Sequence, residues 1–132
     1  QRSIEVLGGD DPLVIQGIPE SLEQAVRNLA ENAIRYSSRN SVISLKLGRQ
    51  GAVPYISVID RGRGIPQEQR EAIFERFLRA DRRAGGAGLG LSIVKRTIEN
   101  HSAEISIEDT PGGGATFIIR FPKSEGSFKA AE

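Results

Sequence analysis

The feature that most constrains the fold is the order in which two hydrophobic periodicities follow one another. From Pro19, apolar residues recur three and four positions apart, which predicts an amphipathic helix over residues 19–37. Segments that alternate with a period of two predict strands at 3–7, 13–17, 41–48, 54–60, 103–109 and 115–121. Two further helices are expected over 67–77 and 89–100. This order predicts an α+β sandwich, with a mixed, mostly antiparallel sheet and its helices on one face.

Size and charge exclude several classes of function. A length of 132 residues suits one domain, which we expect over 1–123, followed by a polar C-terminal tail over 124–132. Lys and Arg number 18 against 17 acidic residues, so no broad positive field favours nucleic acid or a membrane surface as a partner. The chain has no Cys, which excludes disulfides and thiol chemistry. No apolar run approaches the ~20 residues of a membrane span.

Two asparagines lie on the predicted long helix. Asn28 and Asn32 are four residues apart and therefore share one helix face. Asn is a poor helix former, and its carboxamide oxygen is a hard, neutral ligand that suits Mg²⁺. The pair therefore indicates a metal site, with two asparagines on a solvated face as the alternative.

A D-x-G-x-G pattern follows the strand predicted over 54–60. Asp60 ends the strand, and Gly62 and Gly64 follow in the stretch "VIDRGRGIP". A carboxylate at a strand end can accept a hydrogen bond from an amine deep in a pocket, and the glycines let a flat ligand approach bare backbone. A plain turn, for which Asp and Gly are also suited, explains the same residues.

A glycine-rich stretch, "GGAGLGLSIVK" (85–95), leads directly into the last predicted helix. The N-terminus of a helix offers unpaired N–H groups and a partial positive charge, which favour anions. The spacing matches neither the Walker loop nor the dinucleotide fingerprint. A phosphate-binding loop of a third kind is the hypothesis, and a flexible connector is the alternative.

Five stretches together resemble the sensor histidine kinases. They are "NLAENAIRYS", "DRGRGIP", "IFERFLRAD", "GGAGLGLSIVK" and "PGGGATF", which resemble the N, G1, F, G2 and G3 boxes of that family in order and spacing. The resemblance covers about residues 3–122. It implies the Bergerat fold of the GHKL superfamily, a two-layer ATP-binding sandwich with a lid loop, and it implies ATP and Mg²⁺ as cofactors.

The resemblance also implies roles for individual residues. Asn32 resembles the Mg²⁺ ligand, with Asn28 one turn earlier beside it, and Arg79 resembles a contact to the γ-phosphate; these three are the implied catalytic residues. Asp60 resembles the carboxylate that accepts the adenine amino group. The other implied ATP-binding positions are Arg35 at the phosphates, Tyr36 against adenine, Gly62, Gly64, Ile65, Phe77, Gly86, Gly88, Leu89, Gly90, Leu91 and Thr116.

Some positions depart from the family pattern or belong to its lid. Phe74 and Phe77 resemble the F-box pair on which the lid docks. Ala115 stands where the family has a polar residue, which leaves Thr116 as the neighbouring candidate. Ser102 and Ala103 stand where the family often has two glycines.

The residue type at position 28 distinguishes a histidine kinase from the hydrolases and serine kinases of the superfamily. Hydrolases of the superfamily and its serine kinases carry a Glu there as general base, whereas Asn28 cannot take a proton. Glu31 points about 100° away from Asn32 around the helix axis. His101 lacks the sequence context of a phosphoacceptor, so the acceptor is expected upstream of this chain.

The resemblance therefore implies a protein histidine kinase catalytic domain. It is expected to transfer the γ-phosphoryl group of Mg-ATP to a histidine on a separate dimerisation domain, for relay to a response regulator. Its expected location is the cytoplasmic part of a membrane-anchored bacterial sensor, without membrane contact by this fragment. Another GHKL ATPase or serine kinase, or a degenerate regulatory nucleotide-binding module, is the alternative.

Overall fold

One five-stranded sheet organises the computed structural model of the protein. The structure describes residues 3–7, 15, 17–37, 41–71, 73–74 and 87–123. The strands are β1 (Ser3–Leu7), β2 (Val42–Gln50), β3 (Val53–Ile59), β4 (Glu104–Asp109) and β5 (Ala115–Arg120). They lie in the order β1-β2-β3-β5-β4, with β1 parallel to β2 and every other pair antiparallel. The predicted mixed, mostly antiparallel sheet is confirmed.

Strand register brings one row of apolar side chains to the same face. Leu45 pairs with Val58, Val58 with Phe117, and Phe117 with Ile107, so the row crosses four strands. All of these side chains belong to the hydrophobic core or pack against it. Because side chains alternate between the two faces of a strand, this register fixes which face the helices cover.

In the part of the chain that the structure describes, two long helices pack against each other and against the sheet as a second layer. Helix α1 (Pro19–Tyr36) begins with Pro at a position where its missing N–H is not needed. Its buried stripe consists of Ala25, Leu29, Asn32 and Ala33, which follow helical spacing and include one polar residue. Helix α2 (Ala87–Asn100) buries Leu91, Val94 and Ile98. The two-layer α+β sandwich is thereby confirmed.

The strand predicted over 13–17 is wrong at the positions that can be judged. Ile15 and Gly17 are described and lie outside any strand. At Gly17 the backbone approaches the His101 ring so closely that a Cβ would overlap it. The next amide, Ile18 N–H, donates to His101 Nε2 at 3.0 Å rather than to a neighbouring strand. This hydrogen bond joins the residue before α1 to a side chain 83 residues away in sequence.

Two predicted helices have different bounds from those expected. The segment expected to be helical over 67–77 begins with a 3-10 turn at Gln67–Gln69, and helical geometry follows at Ile73 and Phe74; its remaining part, from 75 onward, lies outside the described residues. Helix α2 begins at Ala87, two residues earlier than predicted. The predicted lid and the tail over 124–132 also fall largely outside the described residues. In the described ranges no helix is long and apolar enough to cross a bilayer.

The end of α2 is closed by a Schellman motif without glycine. Ala103 N–H donates to Ile98 O, and Ser102 N–H donates to Glu99 O, both at 3.0 Å. Ser102 adopts a positive φ of 60° to make this turn. The left-handed region costs a non-glycine residue free energy, so this helix end stores local backbone strain.

Replacing Ser102 by Gly should therefore stabilise the protein. We expect the free energy of unfolding to rise by roughly 0.5–1 kcal/mol, measured by urea denaturation. Asn100→Gly, two residues earlier in the last turn of α2, is the matched control. It should lower the free energy of unfolding by a similar amount because its backbone is helical. A Ser102→Gly variant no more stable than the parent would contradict this account.

Candidate functional site

Asp60 is held by backbone amides and carbonyls and by one hydroxyl group. Its N–H donates to Ala115 O at 2.9 Å, and Thr110 Oγ1 donates to its carbonyl at 3.0 Å. Its carboxylate Oδ1 accepts from Gly62 N–H at 2.9 Å and from Ala115 N–H at 3.1 Å. No residue that the structure describes donates to Oδ2. The carboxylate, 6% exposed, is therefore held rigidly with one oxygen left to accept a further hydrogen bond.

Two glycine loops meet backbone to backbone beside Asp60. Gly114, at φ 116°, lies so close that a Cβ would overlap the Asp60 carbonyl oxygen. Gly64, at φ 79°, would place a Cβ 3.2 Å from Gly114 O. The loop after β3 and the turn between β4 and β5 can approach this closely only because neither carries a side chain there. This approach is what brings Ala115 N–H within reach of the Asp60 carboxylate.

Asn32 has a buried oxygen without a partner. Its position on the buried stripe of α1 leaves the side chain 7% exposed. No hydrogen bond reaches Oδ1 from the described part of the chain. An unsatisfied buried acceptor costs roughly 1–3 kcal/mol, so this atom is suited to a ligand that supplies a donor or a cation. The carboxamide oxygen is of the kind that Mg²⁺ prefers.

One cavity of about 490 Å³ joins these two groups. Its size lies within the range of small-molecule sites. Asp60 is the only acidic group among the described residues that line it, and the apolar part of the wall suits a flat, largely hydrophobic ring. The lining residues are Asn32, Asp60, Arg63, Gly64, Ile65, Pro66, Gln69, Ile73, Ala115 and Phe117.

The structure brings four of the predicted site residues to this cavity: Asn32, Asp60, Gly64 and Ile65. Gly62 contributes through its N–H to Asp60. Of the other predicted residues that the structure describes with their side chains, Asn28, Arg35, Leu91 and Thr116 do not line it. Asn28 is half-buried and accepts a hydrogen bond from Gln24 Nε2 at 3.1 Å, so the two asparagines of α1 occupy different environments.

Of the remaining predicted residues, one is exposed, one is buried in the core and one lies on the opposite face of β5. Arg35 is exposed near the end of α1, and Leu91 is buried in the core. Thr116 is one residue from the lining Ala115 and therefore on the opposite strand face, where its hydroxyl meets Thr110 Oγ1 at 2.9 Å. Backbone positions in helices are described for Tyr36, Gly88, Leu89 and Gly90, whereas Phe77, Arg79 and Gly86 lie outside the described residues.

The start of α2 changes the interpretation of its glycines. Gly88 and Gly90 lie inside the first turn of the helix, whereas the sequence predicted a loop up to position 88. The first N–H groups of a helix have no carbonyl partner within it. Within the described helix the amides at 87–89 have no carbonyl partner, and they lie at its positive end, where an anion is favoured.

Sequence reasoning missed three supports of the site. The Thr110 hydroxyl donates a hydrogen bond to the Asp60 carbonyl. Phe117 lines the cavity, and its ring lies edge-on to that of Phe74 at a centroid distance of 6.2 Å. Arg70 connects the loop after β3 to β4. The apolar alternation of β5 did indicate that Phe117 is buried. Nothing local to Thr110 or Arg70 marks their partners, which are 50 and 37 residues away.

Known proteins share this architecture. Residues 17–125 match the family described as histidine kinase-, DNA gyrase B-, and HSP90-like ATPase. The chain belongs to this family. Its fold and ATP-binding character are those that the five sequence boxes predicted, and the resemblance to sensor histidine kinase catalytic domains is confirmed.

Individual relatives are sensor kinases. The chain is 45% identical over 114 residues to the sensor-like histidine kinase SenX3 of Mycobacterium tuberculosis, covering 83% of this chain and 28% of the relative. It is 37% identical over 125 residues to the sensor histidine kinase CpxA of Escherichia coli, covering 92% and 27%. The chain thus spans little more than a quarter of the length of these curated relatives.

Solved structures of sensor histidine kinases have a similar fold. The mycobacterial sensor histidine kinase MprB superposes with a TM-score of 0.78 at 28% identity, covering 92% of this chain and 82% of that structure. Full-length ShkA, solved in complex with AMPPNP, superposes with a TM-score of 0.76 at 29% identity, covering 92% and 26%.

Asp60→Asn tests the carboxylate as a nucleotide contact. Asn can keep its Oδ1 on the two amides, but an NH₂ group then replaces Oδ2 and opposes the amino group of adenine. We expect ATP affinity to fall at least about tenfold, measured by calorimetry, with little change in thermal midpoint. An ATP affinity equal to that of the parent would show that Asp60 shapes the turn and does not contact the nucleotide.

Gly114→Ala tests the contact between the two glycine loops. The added Cβ would overlap the Asp60 carbonyl, so we expect both the thermal midpoint and ATP affinity to fall. Gly112→Ala is the matched control, because Gly112 also has a positive φ, 90°, but no atom lies within 4 Å of its added Cβ. An equal loss in the two variants would show that strain at φ, rather than the contact, is responsible.

Proposed function

We propose that this family member transfers the γ-phosphoryl group of Mg-ATP to a histidine on a dimerisation domain elsewhere in the full-length protein. The phosphoryl group is then relayed to a response regulator. The observation that carries this proposal is the pairing, in one cavity, of an Asp60 carboxylate held for adenine with an unpaired Asn32 oxygen, without a second carboxylate among the described lining residues. Such a site binds nucleotide but does not activate water as a nucleophile.

Helix α1 supports transfer rather than hydrolysis. Where ATP hydrolases of the superfamily carry a catalytic Glu, this chain has Asn28, whose oxygen accepts a hydrogen bond from Gln24. Glu31 is exposed, whereas Asn32 one residue later is buried. Because the described residues that line the cavity with Asn32 include no second carboxylate and no histidine, the proposed nucleophile comes from another part of the protein. Catalysis then consists of positioning and electrostatic stabilisation.

Asn32 is the residue that would hold Mg²⁺, since its buried oxygen has no other partner in the described structure. A bound Mg²⁺ would neutralise charge on the phosphates. The amides at the start of α2 would bind phosphate oxygens, and Asp60 would select adenine. Guanine presents an O6 acceptor where adenine has its amino group, so it would oppose the carboxylate.

Both ring nitrogens of His101 have partners within the fold. Its Nε2 accepts from Ile18 N–H at 3.0 Å, and its Nδ1 lies 2.8 Å from Thr97 O. An acceptor histidine needs a free ring nitrogen, so the phosphoacceptor lies outside this chain. The proposed cellular place is the cytoplasm, as the ATP-binding part of a sensor whose other segments detect the stimulus.

Incubation with γ-labelled ATP and Mg²⁺ tests the proposal. We expect no stable label on this domain alone, negligible release of phosphate, and label on the histidine-bearing dimerisation domain when the full-length protein is used. Asn32→Ala should reduce the labelling rate at least about tenfold, because it removes the implied metal ligand. Asn100→Ala, an exposed Asn on α2, is the control and should leave the rate unchanged. Steady ATP hydrolysis by the isolated domain would refute the proposal.

A further inference from the structure

The segment Arg63–Pro66 is a thin wall with open volume on both sides. On one side lies the nucleotide cavity of about 490 Å³. On the other lies a second cavity of about 430 Å³, bounded by the same segment and by the turn between β4 and β5. The side chain of Ile65 is partly buried against the core, whereas Arg63 and Pro66 are exposed. The position of the wall therefore depends on the polar contacts at its two ends.

The first end of the wall is fixed by the Asp60 network described above. Gly62 N–H donates to the Asp60 carboxylate, and Gly64 lies against the backbone of Gly114. At the second end the chain enters the 3-10 turn, in which Gln69 N–H donates to Pro66 O at 2.9 Å. This local bond shapes the turn but does not connect it to the sheet.

Arg70 makes the connection to the sheet. Its Nε donates to Ile65 O at 2.9 Å, its Nη1 donates to Ile107 O at 3.2 Å, and its Nη2 pairs with the Asp109 carboxylate. Arg70 thus joins the wall to β4 through one rigid, planar guanidinium. The Arg70 side chain is 18% exposed, and its bonds to the Ile65 and Ile107 carbonyls are partly buried, whereas Asp109 is exposed.

We propose that Arg70 is a positioning residue of the nucleotide cavity. It lines neither cavity, yet Ile65, whose carbonyl it binds, lines both. Gln69 and Ile73, on either side of it in sequence, line the nucleotide cavity as well. Arg70 holds this wall at a fixed distance from Asp60 and so sets the width of the space for the base. The inference rests on the proposed binding of adenine nucleotide in this cavity.

Arg70→Ala should weaken binding of every ligand that carries adenine by a similar factor. We expect a loss of about tenfold for ATP, ADP and adenosine alike, measured by competition against a fluorescent ATP analogue below the thermal midpoint of each variant. A residue that acted on phosphate would weaken ATP far more than adenosine. Arg70→Lys should remain close to Arg70→Ala, because a single ammonium cannot span the Ile65 and Ile107 carbonyls and Asp109 together.

Arg120→Ala is the matched control. Arg120 also binds β4, through Ser106 Oγ at 3.0 Å and Glu108 Oε2 at 3.4 Å, but it has no contact with the wall among these bonds. Its loss should leave all three affinities unchanged. The inference is overturned if Arg70→Ala binds like the parent, if Arg120→Ala weakens binding equally, if only ATP is affected, or if Arg70→Lys restores full affinity. A parent domain that bound no ATP would instead refute the proposed function, and this inference with it.

Discussion

The site depends on one interaction, the pair of backbone amides that hold the Asp60 carboxylate. Gly62 lies in the loop after β3 and Ala115 is the first residue of β5, and both donate to the same oxygen. That geometry requires β3 and β5 to be neighbours and requires the turn before β5 to approach Asp60 without a side chain at Gly114. The order of strands, the glycine loops and the hydroxyl of Thr110 thus converge on the placement of one acceptor.

The cavity combines a satisfied polar group with an unsatisfied one. Asp60 has one oxygen saturated by the fold, whereas Asn32 Oδ1 is buried without a partner in the described structure. Burying an unpaired acceptor destabilises a protein, and helix α1 tolerates it because Ala25, Leu29 and Ala33 on the same stripe bury apolar surface. The unpaired Asn32 oxygen and the apolar side chains that stabilise the helix thus belong to one helix face.

Periodicity predicted most elements, and it failed where distant residues decided the local structure. The row Leu45, Val58, Phe117 and Ile107 needs only alternation along each strand, which sequence shows directly. The strand expected over 13–17 is wrong at Ile15 and Gly17, and the backbone of Gly17 lies against the ring of the distant His101. On α1, Asn28 accepts a hydrogen bond from Gln24 and is less buried than Asn32. Spacing on a helix gives a shared face, but it does not give the depth of burial of each residue.

The sequence by itself determined the family, because five motifs occur in a fixed local order, and it predicted roles for Asp60 and Asn32 that stay predictions. Only the tertiary structure decided which residues support them. Arg70, Thr110 and Gly114 act on partners far along the chain, and a hydrogen bond between such partners exists only when the sheet brings their atoms within about 3 Å. The chemistry of a side chain follows from its residue type, whereas the distance between two groups is set by the fold.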